Sequence, residues 1–132
     1  MPERMRQAVE TVLDVWRTGD VDRLDAVCSP SCAFHTPPFA DMDLAAEKEF
    51  ISAFRIGLPD FAIEQVEGIV SGETTCHRYR CSGTHTGRNP LIPVEPDGRW
   101  FETTGCWMAH WDDGRAVEVW HYQHWLCELQ RA

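Results

Sequence analysis

The stretch RAVEVWHYQHW, residues 115–125, sets two imidazoles, two indoles and a phenol within positions 120–125. Imidazole has an unperturbed pKa of about 6.5, close to neutrality, so it serves readily as acid, base or metal ligand. Side chains on a strand alternate between faces. His121 and His124 are three positions apart, so on one regular strand they point opposite ways and cannot jointly hold a metal. One face carries Trp120, Tyr122 and His124, and the other His121, Gln123 and Trp125. Upstream, Cys106, Met108 and His110 share a face, with Trp107, Ala109 and Trp111 opposite. WDDG, residues 111–114, is a hairpin signal that makes the two strands neighbours. One pairing of faces gathers His110, Trp120, Tyr122 and His124 into a pocket. That set suits acid–base chemistry, with Trp120 stacking on a flat substrate. The same alternation turns His121 away, toward a surface or a subunit interface. For each histidine the plainer role is that of a half-buried side chain bonded to a backbone carbonyl.

The elements that must position these residues are legible in outline. Met5, Val9, Val12, Leu13 and Trp16 recur at helical spacing over residues 3–18, and Thr18-Gly19-Asp20 ends that helix. DVDRLDAVCS reads as a short second helix. CAFHTPPF, with two prolines, is extended or turning. Asp43 caps a third helix, LAAEKEFISAFRIGL, which stops at Pro59. The second half then alternates. DFAIEQVEGIVSG, TTCHRYRCSG, RWFETTGCWMAHW and RAVEVWHYQHWLCEL read as strands, and the proline-rich RNPLIPVEPDG as a loop. On TTCHRYRCSG, His77, Tyr79 and Cys81 share one face, and Arg78 and Arg80 point outward from the other. Helices followed by antiparallel strands give an α+β fold, a curved sheet wrapped around helices as one domain over residues 1–132.

Composition narrows the function. The net charge of −9 argues against nucleic acid and against an anionic membrane surface. No apolar run approaches the roughly 20 residues of a membrane span, and the N-terminus lacks a signal-peptide core, so the expected location is cytoplasmic. The six cysteines include C-x3-C and C-x4-C pairs, Cys28 with Cys32 and Cys76 with Cys81. These do not assemble a convincing zinc set, and reduced thiols are expected. With no phosphate-binding glycine loop either, neither metal nor cofactor is expected.

FRIGLPDFAIEQVEGIVSGE, GTHTG and MAHWDDGRAVEVWHYQHW, in that order and spacing, resemble the SnoaL-like polyketide cyclases. These belong to the superfamily of nuclear transport factor 2 and ketosteroid isomerase. The resemblance runs from about His35 to Gln130. It implies a cone-shaped α+β barrel, a homodimer, no cofactor, and a pocket with a His on the penultimate strand and an Asp on the last. His110 matches the histidine. Four residues after the tryptophan of E-x-W, His124 stands where the family has its acid/base aspartate. FHTPP resembles the H-x-P segment and sets His35 at the pocket mouth or wall. The resemblance implies an enzyme of secondary metabolism acting on a small, hydrophobic, carbonyl-rich substrate. A carboxylate there removes a proton from activated carbon, and the enolate closes a ring. A histidine can supply that base, so the catalytic residues expected are His124 and His110. The substrate contacts expected are His35, Trp120, Tyr122, Met108 and Tyr79. Isomerisation, dehydration and epoxide opening suit the same groups. A non-catalytic binding protein or a protein-interaction module of the same fold is the alternative.

Overall fold

A computed structural model describes residues 2–89, 91 and 94–130. Helix α1 (Glu3–Thr18) buries Met5, Ala8, Val9, Leu13 and Trp16 along one stripe. It ends where Gly19 takes φ 78°, a left-handed conformation that glycine adopts without steric penalty, and returns its N–H to the Val15 carbonyl at 2.8 Å. The short second helix is a 3₁₀ segment, Val21–Ala26, anchored by buried Leu24. Helix α2 (Leu44–Gly57) starts as its cap dictates, with Asp43 accepting from the Ala46 N–H at 2.8 Å.

The strands are β1 (Cys28–His35), β2 (Ala62–Ser71), β3 (Thr74–Thr84), β4 (Trp100–Asp112) and β5 (Arg115–Tyr122). They form one curved, unclosed sheet in the order β1-β5-β4-β3-β2. Four strands run as an antiparallel meander, whereas β1 joins β5 in parallel. The sequence left β1 as a segment that is extended or turning, because its partner lies some 85 residues away in the chain. Pro90, Ile92 and Pro93 of the expected 88–98 loop lie outside the described residues.

The helices cover the inner face of the sheet. Trp16 of α1 meets Phe54 edge-on at 5.5 Å, and Trp107, Ala109 and Trp111 of β4 are buried beneath. His77 of β3 also points inward and is wholly buried, stacked on Trp107 at 4.1 Å. Its Nδ1–H donates to Gln65 Oε1, and its Nε2 accepts from the Thr75 hydroxyl, both at 2.7 Å. The Thr75 oxygen in turn accepts the Trp111 indole N–H at 2.8 Å. This closed chain of partners fixes a neutral imidazole, and burial pushes its pKa down to about 4.

Two features of β5 govern the site. Asp113 and Gly114 have φ of 52° and 76°, the pair of positive values that a two-residue type I′ turn requires, so Asp112 pairs with Arg115. Then the register shifts. Trp111 pairs with Ala116 but His110 with Glu118, leaving Val117 as the extra residue of a bulge. Beyond it Met108 faces Trp120 and Trp107 faces His121. The strand also stops early. After Tyr122 the chain turns into helix α3 (Trp125–Gln130), whose Leu126 N–H is capped by Gln123 Oε1 at 2.9 Å. The expected continuous strand through residue 129 is therefore half strand and half helix.

Candidate active site

A cavity lies between the helices and the inner face of the sheet. α1 lines it with Val12, Leu13 and Trp16, α2 with Glu47 and Ile51, and α3 with Trp125. The sheet contributes Phe34, Ile63, Tyr79, Trp107, Ala116, Val119 and His121. About 670 Å³ in and in front of this lining is not filled by atoms, open solvent included, but only about 40 Å³ admits the centre of a water-sized molecule. At roughly 10–15 Å³ per water that is room for about three. A polycyclic ligand therefore enters only if lining side chains move outward. The ionisable groups of the lining are Cys28, Glu47, Tyr79 and His121, in otherwise apolar and aromatic surroundings.

His121 and Tyr79 form one unit. The Tyr79 hydroxyl and His121 Nε2 are 2.7 Å apart, and the edge of Trp16 packs against the imidazole at 5.6 Å between centroids. Tyr79 starts on β3 and reaches His121 on β5 across the intervening β4. It does so over Gly105, its cross-strand partner, where a Cβ would overlap both the hydroxyl and the ring. A glycine at 105 is thus a condition for this hydrogen bond. Burial lowers the pKa of His121 to about 4 and raises that of Tyr79. At neutral pH the imidazole is unprotonated, with a basicity close to that of an ordinary carboxylate, and the phenol keeps its proton. Nδ1 of His121 bonds to no protein group among the described residues.

Glu47 is the third polar group. It sits in the first turn of α2 on the same stripe as Phe50, Ile51 and Phe54, and is only 5% exposed. Its Oε1 is buried with no hydrogen-bond partner, and desolvation pushes its pKa up to about 7. The adjacent Lys48 does not compensate it, being turned to Asp22 and Asp25 at 3.2 and 2.8 Å.

Helices over a curved sheet around a polar-dotted apolar cavity is an arrangement shared with known proteins. The profile of the SnoaL-like polyketide cyclase family matches residues 6–126. The chain belongs to the SnoaL-like polyketide cyclase family. Solved structures agree in fold. A protein from Jannaschia sp. CCS1, classed as a SnoaL-like polyketide cyclase, superposes with a TM-score of 0.79 at 18% identity, covering 97% of this chain and 92% of its own. IdmH of Streptomyces antibioticus, classed as a polyketide cyclase, gives 0.76 at 23% identity over 89% of each chain. AclR of Streptomyces galilaeus, classed as a hydroxylase, gives 0.79 at 16% identity, covering 97% of this chain and 83% of its own. At such identities the likeness is one of fold. No curated protein matches the sequence.

Against that family pattern, the expected pocket residues of this SnoaL-like chain lie elsewhere. The faces were grouped as they occur, since the bulge brings His110, Trp120 and Tyr122 to one side, but that side is the outer one. His110 is exposed and meets Trp120 edge-on at 4.8 Å, Met108 faces Trp120 across the strands, and Tyr122 is 53% exposed. His124 follows the end of β5 and is exposed, with Nε2 3.9 Å from Glu128. His35, expected at the pocket mouth or wall, stacks on Trp120 at 5.5 Å on this same outer face. Its two ring nitrogens bond Asp41 at 2.9 Å and Glu118 at 2.7 Å, and these carboxylates raise its pKa. Of the seven catalytic and substrate-contact residues expected from the sequence, only Tyr79 lines the cavity, and the structure adds His121, which alternation had sent outward. The reason is that the inner face of β4 belongs to Trp107, Ala109 and Trp111, and the inner partner of Trp107 is His121. Glu47 was missed altogether. Its signal was a carboxylate at i−3, i−4 and i−7 from Phe50, Ile51 and Phe54. Among the described residues no cluster of three His, Cys, Asp or Glu side chains could hold a metal, and no helix is long and apolar enough to cross a membrane.

Proposed function

We propose that this SnoaL-like protein is a cofactor-independent acid/base enzyme that enolises, and then cyclises or isomerises, a carbonyl-bearing substrate of polyketide type. The observation that carries the reading is the Tyr79–His121 pair inside an apolar cavity. His121 with its proton on Nε2 donates to the Tyr79 oxygen, and Tyr79 donates its own proton to the substrate carbonyl. The free Nδ1 then takes a proton from the carbon next to that carbonyl. The negative charge that develops on the carbonyl oxygen meets a donor already in place, in surroundings where water does not compete. A base of low pKa suffices because the phenol stabilises the enolate it produces. The exposed position of His124 favours one rival, a non-catalytic binding protein, since nothing acidic stands at the family's aspartate position inside the cavity.

Exchange of the α-hydrogens of cyclohexanone in deuterated buffer, followed by proton NMR, separates the two. Cyclohexanone, with one ring, asks for far less outward movement of the lining than a polycyclic ligand, and it exchanges slowly unaided. The enzyme reading expects faster exchange with the protein, reduced roughly 10²–10⁴-fold in His121→Phe, which keeps a ring against Trp16. Exchange no faster than in buffer alone, with the ketone bound, favours the binding protein.

A further inference from the structure

We infer that Glu47 is a ligand-binding acid of this cavity, whose carboxyl takes the carbonyl oxygen of an uncharged, largely apolar molecule lying between α2 and the Tyr79–His121 pair. The inference deepens the enzyme reading and rests on it for the second polar contact. Tyr79 and His121 satisfy each other at 2.7 Å, whereas Glu47 Oε1 is buried without a partner in the same cavity. Buried polar groups in folded proteins are almost always bonded, so the missing partner points to a bound molecule.

The surroundings say what kind. The titratable groups facing Glu47 are Cys28 and Cys32 of β1, Tyr79 of β3 and His121 of β5. The Cys32 thiol is pushed up by its bond to Cys28 and by burial, the phenol by burial, and the imidazole is neutral. α1 and α3 add only Val12, Leu13, Trp16 and Trp125, α2 itself turns Lys48 outward to Asp22 and Asp25, and among the described residues no cation lines the cavity beside the carboxyl. Between about pH 4 and pH 7 Glu47 therefore holds its own proton while His121 is neutral, and the cavity carries no charge. A protonated carboxyl is a hydrogen-bond donor, and a carbonyl oxygen is its simplest complement. An ammonium would fit the aromatic walls but brings three donors, and the open acceptors are two, Glu47 Oε1 and His121 Nδ1. An anion finds no cation.

The test compares cyclohexanone with its hydrocarbon counterpart, methylenecyclohexane, and with cyclohexylamine. Binding is read by NMR on protein carrying ¹³C-carboxyl glutamate, at pH 6 and pH 8.5. The wild type should favour the ketone over the hydrocarbon about tenfold more at pH 6 than at pH 8.5, the worth of one good hydrogen bond, the Tyr79 contact being common to both. Glu47→Gln keeps an N–H donor, so its preference should persist at both pH values. Glu47→Leu should lose that tenfold at both pH values and keep only what the Tyr79 hydroxyl contributes. If Glu47→Leu does not fold, the pH contrast between the wild type and Glu47→Gln decides. The inference is overturned if the wild type shows no ketone binding or no preference at pH 6, if the preference is as large in Glu47→Leu as in the wild type, or if the amine binds more tightly than the ketone. Hydrogen exchange of the ketone is read separately. Preference without exchange refutes the enzyme reading and keeps Glu47, and exchange untouched by Glu47→Leu does the reverse.

Discussion

Replacing Glu47 by Gln should stabilise the protein, increasingly so as pH rises. The carboxyl is 5% exposed, its pKa moves from the ordinary 4.5 to about 7, and desolvation is the cause. Below pH 4.5 the folded and unfolded chains both carry a neutral carboxyl, and the glutamate costs nothing by ionisation. Between 4.5 and 7 the unfolded chain releases its proton while the folded chain keeps it, so wild-type stability falls. Above 7 the full penalty is present. At about 1.4 kcal/mol per tenfold change, the interval amounts to about 3 kcal/mol. Glutamine does not titrate. The difference in stability between Glu47→Gln and wild type should therefore be small at pH 4.5, open through pH 7 and stay level near 3 kcal/mol at pH 8, roughly 10 °C in Tm. Urea unfolding of both proteins from pH 4 to 9 measures this, and taking the difference cancels the contributions of His77, His121 and His35. A gap that is independent of pH, or one that narrows as pH rises, would refute the desolvation argument. A gain in stability on removing a group is also what a binding residue, kept at the fold's expense, should give.

Gly105→Ala should displace Tyr79 from His121, lower stability by roughly 1–3 kcal/mol through overpacking, and slow ketone exchange as His121→Phe does; unchanged exchange would detach Gly105 from the site. His77 has its pKa lowered in the fold, so the stability it contributes is present above about pH 6.5 and lost as pH falls toward 4. Urea midpoints of His77→Gln should accordingly fall less than those of wild type over that interval. His77→Leu should cost roughly 1–3 kcal/mol at neutral pH by stranding the buried Thr75 hydroxyl, and a melting temperature equal to wild type would contradict the network. His110→Ala and His124→Ala, both outside the cavity, should leave ketone exchange within about twofold of wild type, well under the usual effect of a general acid or base. A large loss in either would return the chemistry to the outer face.

The helices were readable because each carries its own stop and start. Gly19 takes the left-handed conformation, Asp43 caps, and the apolar stripe of α1 repeats at helical spacing. The hairpin was readable from Asp113-Gly114 for the same local reason. What alternation cannot give is which face is inner. Here the answer lay in comparing the two faces of β4 whole, since Phe101, Trp107, Ala109 and Trp111, with Thr103 and Gly105, outweigh Trp100, Cys106 and Met108, with Glu102, Thr104, His110 and Asp112, in apolar bulk. The outward arginines 78 and 80 said the same of β3, which sets Tyr79 inward and pairs it with Gly105. β1 and the end of β5 were harder. A parallel partner held by distant chain leaves no local mark, and Trp125 and Leu129, which anchor α3, fit a strand pattern as well as a helical one.

Val117 is slack in the chain. A strand paired without interruption from the Asp113-Gly114 turn would set Cys106 opposite His121, on the outer face; the one surplus residue sets Trp107 there instead. Distance along the sequence from the turn to the site is therefore not a fixed quantity in this architecture. A deletion of Val117 would close the bulge and leave every later partner where it stands, with His121 still beneath Tyr79. An insertion has no such reserve to draw on and must be absorbed by a second distortion or turn the imidazole out. A relative lacking this bulge, if aligned by counting from the hairpin, would be misread by a single step, and on a strand a single step is the difference between the wall of a cavity and the outside of the molecule.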